Sequence, residues 1–106
     1  MSVWKININK SGSSVTFEPL NAVVGDQIFW VNNDGQKHWP APIGKDGNPV
    51  EKGFLNFPVL PHTSSQESFS PNTAATYNYC CAIHPQEKGQ IVVTATPPAP
   101  TSTRNA

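Results

Sequence analysis

Thr76-Tyr77-Asn78-Tyr79-Cys80-Cys81-Ala82-Ile83-His84-Pro85-Gln86-Glu87-Lys88-Gly89-Gln90-Ile91-Val92-Val93 reads as a strand, a tight loop and a second strand. Tyr77, Tyr79 and Cys81 alternate with Asn78 and Cys80, so the first three share one strand face. With that face turned inward, Cys81 ends the core and holds its sulfur near the loop. His84 follows three residues later, where the chain turns. A soft sulfur and an imidazole this close suit copper or zinc. Cys81 could also be a simple buried cysteine beside an unrelated surface histidine.

A second imidazole strengthens the metal reading. Gln27-Ile28-Phe29-Trp30-Val31-Asn32 is the strongest strand pattern in the first half, and Asn33-Asp34-Gly35 ends it with turn chemistry. His38 follows in Gln36-Lys37-His38-Trp39-Pro40-Ala41-Pro42-Ile43, where Pro40 and Pro42 exclude a helix and favour an extended loop. Two donors from one loop and one from a distant loop make a trigonal His₂Cys set, the blue-copper arrangement.

Composition fits a small β domain. The chain has 106 residues, enough for one core. Eleven prolines and seven glycines punctuate apolar runs rich in Val, Ile, Thr, Phe and Trp. Val3–Asn9, Val15–Leu20, Gln27–Asn32, Gln66–Phe69, Thr76–Cys81 and Gln90–Thr96 read as strands, with a short proline-broken segment at 54–60. The expected fold is an all-β Greek-key β-sandwich of seven to eight strands spanning residues 1–96. Its expected core is Trp4, Ile6, Phe29, Trp30, Val31, Tyr79 and Val92. Residues 97–106, rich in Pro and Thr, read as a disordered tail or linker. The formal net charge is zero and no Lys/Arg cluster exists, which argues against nucleic acid and anionic membranes as partners. No run resembles a membrane helix or a signal peptide.

The spacing Tyr77-x-Tyr79-x-Cys81-x-x-His84-Pro85, followed by Lys88-Gly89-x-Ile91-Val92-Val93, resembles the cupredoxins, the small blue copper proteins. The ligand loop is most similar to that of the amicyanins and plastocyanins. Val24-Gly25-Asp26-Gln27-Ile28-Phe29-Trp30-Val31-Asn32 resembles the family's strand before the first ligand, which falls on His38. The resemblance implies one copper ion cycling between Cu(I) and Cu(II), held by His38, Cys81 and His84. The chain is expected to be a monomer, and the resemblance implies a one-electron carrier rather than an enzyme and a periplasmic or extracellular setting. It also implies redox protein partners that dock near His84, Pro85 and Trp39.

The sequence departs from the family at the axial ligand. The family usually carries Met there, and the only methionine is Met1. The short-loop spacing puts the axial position on Glu87, three residues after His84. A vacant or water-filled position, or Gln86, are the alternatives. An oxygen donor leaves room for other functions: a copper enzyme or redox sensor with an open axial position, or a zinc- or copper-holding domain, since Cys-His-His-Glu is a sound tetrahedral set. A metal-free structural sandwich is the remaining reading.

Cys80 faces away from Cys81 by strand alternation and is expected on the outer face, not in the site. A disulfide between adjacent cysteines needs a distorted peptide and is not expected. His62, in Pro61-His62-Thr63-Ser64, is expected on a distant surface turn. Trp39, Pro40, Ala41, Pro42 and Pro85 could form an apolar rim around the histidines or simply pack a proline-rich loop.

Overall fold

The computed structural model describes residues 2–95. The segment expected to be a tail, 97–106, and the expected domain end at residue 96 lie outside the described residues. Seven strands run in order: β1 Val3–Ser11, β2 Ser14–Phe17, β3 Leu20–Val23, β4 Gln27–Asn32, β5 Pro40–Pro42, β6 Ala75–Cys81 and β7 Lys88–Thr94. They form two mixed sheets, β2-β1-β4 and β3-β7-β6-β5, as a β-sandwich of Greek-key-like topology. β1 pairs antiparallel with β2 and parallel with β4. β7 pairs parallel with β3 and antiparallel with β6, and β5 pairs antiparallel with β6.

Proline chemistry explains two elements that periodicity missed. The expected strand Val15–Leu20 divides: β2 ends at Phe17, and β3 begins at Leu20 in the other sheet. Pro19 has no N–H to continue a ladder, so the chain changes sheets there. The expected extended loop at 40–42 is a short edge strand, with Pro40 opposite Cys81 and Pro42 opposite Tyr79. Prolines fit there because an edge strand needs hydrogen bonds on one side only.

The expected strand Gln66–Phe69 is not one. Phe69 makes a single bridge to Ile28, exchanging two backbone hydrogen bonds of 2.9 Å. Earlier in that segment, Ser65 Oγ takes the place of a backbone acceptor for the Trp30 N–H, at 3.1 Å. The segment 63–69 thereby covers the free edge of β4 without forming a regular ladder, which protects an otherwise exposed edge.

The core lies between the sheets and holds Ile6, Ile8, Phe17, Ile28, Trp30, Tyr79, Cys81, Ile91 and Val93. Loop residues Phe54, Leu55 and Val59 close it. The Trp30 indole N–H donates to the Tyr79 hydroxyl at 3.2 Å, and Phe17 stacks on Tyr79 with ring centroids 5.3 Å apart. Gly89 is required beneath this ring, since a Cβ there would come within 2.4 Å of Tyr79 Cζ.

Four residues of the expected core, Phe29, Val31, Val92 and Trp4, are corrected. In β4 the inward residues are Ile28, Trp30 and Asn32, while Phe29 and Val31 are half-buried. Every residue from Ile28 to Val31 is apolar, so alternation could not choose the phase; pairing with β1 and the covering sheet did. In β7, likewise, Ile91 and Val93 point inward rather than Val92. Trp4 is 38% exposed, because its indole N–H turns to the Asp26 carboxylate, at 2.9 Å, near the end of the sandwich.

Candidate metal centre

Four side chains meet at one end of the sandwich: His38, Cys81, His84 and Glu87, with one donor atom from each lying within 4.8 Å of the others. Cys81 ends β6, and the loop after it is closed by hydrogen bonds. Cys81 N–H donates to Glu87 O at 3.0 Å, and Glu87 N–H donates to His84 O at 2.9 Å. This tight return turns His84 and Glu87 toward the sulfur. The Ala82 N–H donates to Trp39 O at 2.7 Å, tying the loop to the segment that carries His38.

His38 is completely buried and clamped by three hydrogen bonds. Its backbone exchanges hydrogen bonds with Val59, at 3.1 and 2.7 Å. Its Nε2 lies 2.8 Å from Asp34 Oδ2. This hydrogen bond is the main cause that holds the Asp34 carboxyl below the usual aspartate range, against the opposing effect of burial. An ionised carboxylate can only accept, so Nε2 carries a proton, and in the neutral ring Nδ1 then keeps a lone pair directed at the cluster.

The separations fit a shared ion better than hydrogen bonding. Cys81 Sγ lies 3.8 Å from His38 Nδ1 and 3.7 Å from His84 Nδ1. Metal bonds of about 2.3 Å to sulfur and about 2.0 Å to nitrogen, about 120° apart, put these atoms about 3.7 Å from each other. Glu87 Oε1 lies 3.0 Å from His38 Nδ1 and 3.5 Å from His84 Nδ1. It is buried and accepts no hydrogen bond. A buried carboxylate oxygen without a donor is costly unless a cation faces it.

Sulfur chemistry points the same way. Burial pushes the Cys81 thiol up, and the Glu87 carboxylate adds to this; the N–H groups of Trp39, His84 and Ile83 act against it. Trp39 N–H donates to Sγ at 3.3 Å. A cation among these donors would ionise the thiol outright. The residues present therefore fit a single metal ion with a sulfur, two imidazole nitrogens and a carboxylate oxygen.

The geometry separates the candidates read from the sequence. It brings together His38, Cys81, His84 and Glu87, and leaves Gln86 exposed outside the cluster. His62 is exposed on a turn with a left-handed backbone, φ 56°. Both cysteines are free. Cys80 points away from the cluster as alternation required, but it is not on an exposed face: it is buried at 1% exposure beside its cross-strand partner Ala41, also fully buried. The short strand β5 pairs along this part of β6, so Cys80 sits within the sheet rather than at its margin. Asp34 was missed as part of the site. The Asp-x-x-x-His spacing was visible, but Asp34 read as turn chemistry, and only the fold folds that turn back onto the ring.

No family model and no curated protein matches the sequence. Solved structures do. An oxidized amicyanin variant is 26% identical, with a TM-score of 0.64 over 85% of this chain and 80% of that one. Amicyanin from Paracoccus versutus is 20% identical, with a TM-score of 0.65 over 85% of this chain and 79% of that one. A purple cupredoxin from Nitrosopumilus maritimus is 21% identical, with a TM-score of 0.70 over 85% of this chain and 98% of that one. Among the described residues, no helix is long and apolar enough to cross a membrane. The chain thus has the cupredoxin-like fold and is similar to amicyanins of known structure, with a His38, Cys81, His84 and Glu87 cluster in which Glu87 stands where these proteins are expected to carry an axial methionine.

Proposed function

We propose that this protein is a mononuclear type 1 copper protein that carries single electrons, with one copper ion held by His38, Cys81 and His84 and by Glu87 as axial ligand. The observation that carries the reading is the convergence of four donor atoms on one point, with Glu87 Oε1 buried there and accepting no hydrogen bond. Copper, when bound, supplies the one-electron couple.

The protein's own residues supply the rest. Cys81 gives a thiolate whose charge is supported by the Trp39 N–H. His38, locked by Asp34 and Val59, and His84, held by the closed loop, are neutral imidazole donors. Glu87 adds a hard anionic oxygen, which favours the divalent over the monovalent ion. Because Cys81 ends a sheet strand and His38 is clamped, the donors move little when the charge changes. The donor set and the similarity to amicyanin support an electron carrier rather than a catalyst.

His84 is the ligand side chain nearest to solvent, 29% exposed, so it is the natural port for an electron. Ile83 and Pro85 flank it and are exposed, and Trp39 is half-buried nearby. A redox protein docking on His84, Pro85 and Trp39 would cover an apolar rim of little charge. The resemblance to cupredoxins supports a periplasmic or extracellular, monomeric carrier.

A four-donor set that includes a carboxylate also suits zinc, which is the second reading. Adding Cu(II) to purified metal-free protein decides between them. An intense visible thiolate-to-copper band, with one bound copper and a matching electron-spin spectrum, is expected. A protein that stays colourless after copper addition overturns the copper reading.

A further inference from the structure

Asp34 is a second carboxylate beside the cluster, and the fold goes to some length to hold it there. Its side chain is 7% exposed. Its Oδ2 accepts from His38 Nε2 at 2.8 Å, and its Oδ1 accepts from the Gly35 N–H at 2.7 Å. Its own N–H donates to Asn32 Oδ1 at 2.9 Å. Asn32, fully buried at the end of β4, donates through Nδ2 to Gln36 O at 2.7 Å and Val59 O at 3.1 Å. Val59 O also accepts from the His38 N–H, at 3.1 Å. One network therefore fixes both the backbone and the ring of His38.

We propose that Asp34 is a positioning residue of the metal site: through His38 it fixes the metal-facing nitrogen, and its buried charge biases the bound ion toward the divalent state. This rests on the copper reading above. A carboxylate on Nε2 leaves only Nδ1 free to bind, and it makes that nitrogen a stronger donor. A fixed negative charge one imidazole away from the ion also interacts more favourably with a dication than with a monocation, and burial limits its screening. The site then has three anionic groups close to the ion, Cys81, Glu87 and Asp34, rather than the single thiolate of a neutral-axial site.

Asp34→Asn tests this, because the amide keeps the shape and can still accept from Nε2–H while losing the charge. Two measurements are needed on the full chain: Cu(II) and Cu(I) affinities by competition with chelators, and the reduction potential. Far-ultraviolet dichroism checks that the fold is kept. The expected result is a loss of Cu(II) affinity of about 10–100-fold. Cu(I) affinity should fall by less, so that the ratio of the two shifts by about tenfold, which is a rise of about 59 mV for one electron. A purely structural role for Asp34 would weaken both oxidation states equally and leave the potential unchanged. If wild-type protein shows the copper band but Asp34→Asn leaves the affinity ratio and potential as they were, the Asp34 assignment is wrong and the copper reading stands. If wild-type protein itself shows no band, both fall. Should Asp34→Asn fail to fold, the same ratio measured on Asp34→Ser decides the matter.

Discussion

Two carboxylates with buried oxygens stand near opposite ends of β4 and are treated in opposite ways. Asp26, just before β4, accepts from Ser2 N–H at 2.8 Å, Trp4 Nε1–H at 2.9 Å and Val23 N–H at 3.0 Å. Glu87, at the end that carries His38, has an oxygen with no hydrogen bond at all. Asp26 is a latch: its bonds pin the N-terminal strand to the turn before β4, and those bonds hold its carboxyl below the ordinary aspartate value of 3.8, the Ser2 N–H most of all. Glu87 is kept free of donors where a cation can use it. Asp34 lies between the two, satisfied by protein donors and bonded to a ring of the cluster. The lesson is that burial of a charge says little until its partners are counted.

The largest expected effect is at the sulfur that would give a copper-loaded cluster its colour. Cys81→Ser should abolish the visible copper band completely, since only a thiolate supplies it. Retention of the band would mean that the cluster described here is not the copper site.

The axial position comes next. Glu87→Met exchanges a hard anionic oxygen for a soft neutral thioether, so the reduction potential should rise and the spectrum move toward blue. Voltammetry and visible spectra check both. The contrast with Asp26 can be tested in metal-free protein by urea denaturation. Glu87→Gln should leave the midpoint equal or higher, because it removes the charge from a carboxylate whose buried Oε1 accepts no hydrogen bond. Asp26→Asn should lower the midpoint, because it weakens three hydrogen bonds to a charge. Equal responses would erase the distinction between latch and ligand.

The two histidines should also differ. His38→Ala leaves Asp34 Oδ2 buried without its donor and opens a cavity, so it should cost about 1–3 kcal/mol in the metal-free protein. His84→Ala, at the surface, should cost within about 0.5 kcal/mol. Both should keep their far-ultraviolet spectra, and the more accessible His84 position should accept added imidazole more readily. Comparable losses for the two would contradict the clamp at His38.

Acid should reveal Asp26 by a smaller effect. Its carboxyl is held below 3.8 in the folded state, so the stability it contributes is present above that value. That contribution is lost as pH falls through the lower folded value. The gap in urea midpoint between wild type and Asp26→Asn should therefore be full at neutral pH and close only below about pH 4. A gap that does not change with pH would show that the charge of Asp26 is irrelevant. The smallest effect is at Cys80: Cys80→Ser should keep the copper band, with only a modest loss of stability from burying a hydroxyl.

Much of the cluster was legible because three of its members are local. Cys81, His84 and Glu87 fall within seven residues, and the strand that leads into them shows a clear two-residue period. His38 was legible as a histidine just past a strong strand. Asp34 was not, because an aspartate in Asn33-Asp34-Gly35 has a sufficient local explanation as a turn residue. Asp26 was hidden for the same reason, after Gly25. Side chains that serve both a turn and a distant partner show only the first role in the linear chain.

The sequence by itself determined the fold class, the strands β1, β4, β6 and β7, and the grouping of donors around Cys81. These depend on spacing along the chain, and short-range spacing survives without knowledge of the rest. The tertiary structure alone decided the inward phase of β4 and β7, the division at Pro19, the small edge strand at Pro40–Pro42 and the burial of Cys80. Each depends on which strand lies alongside, and a strand apolar on both faces carries no record of that. The orphaned oxygen of Glu87 was decided there too, since whether a carboxylate has a donor is a property of the space around it.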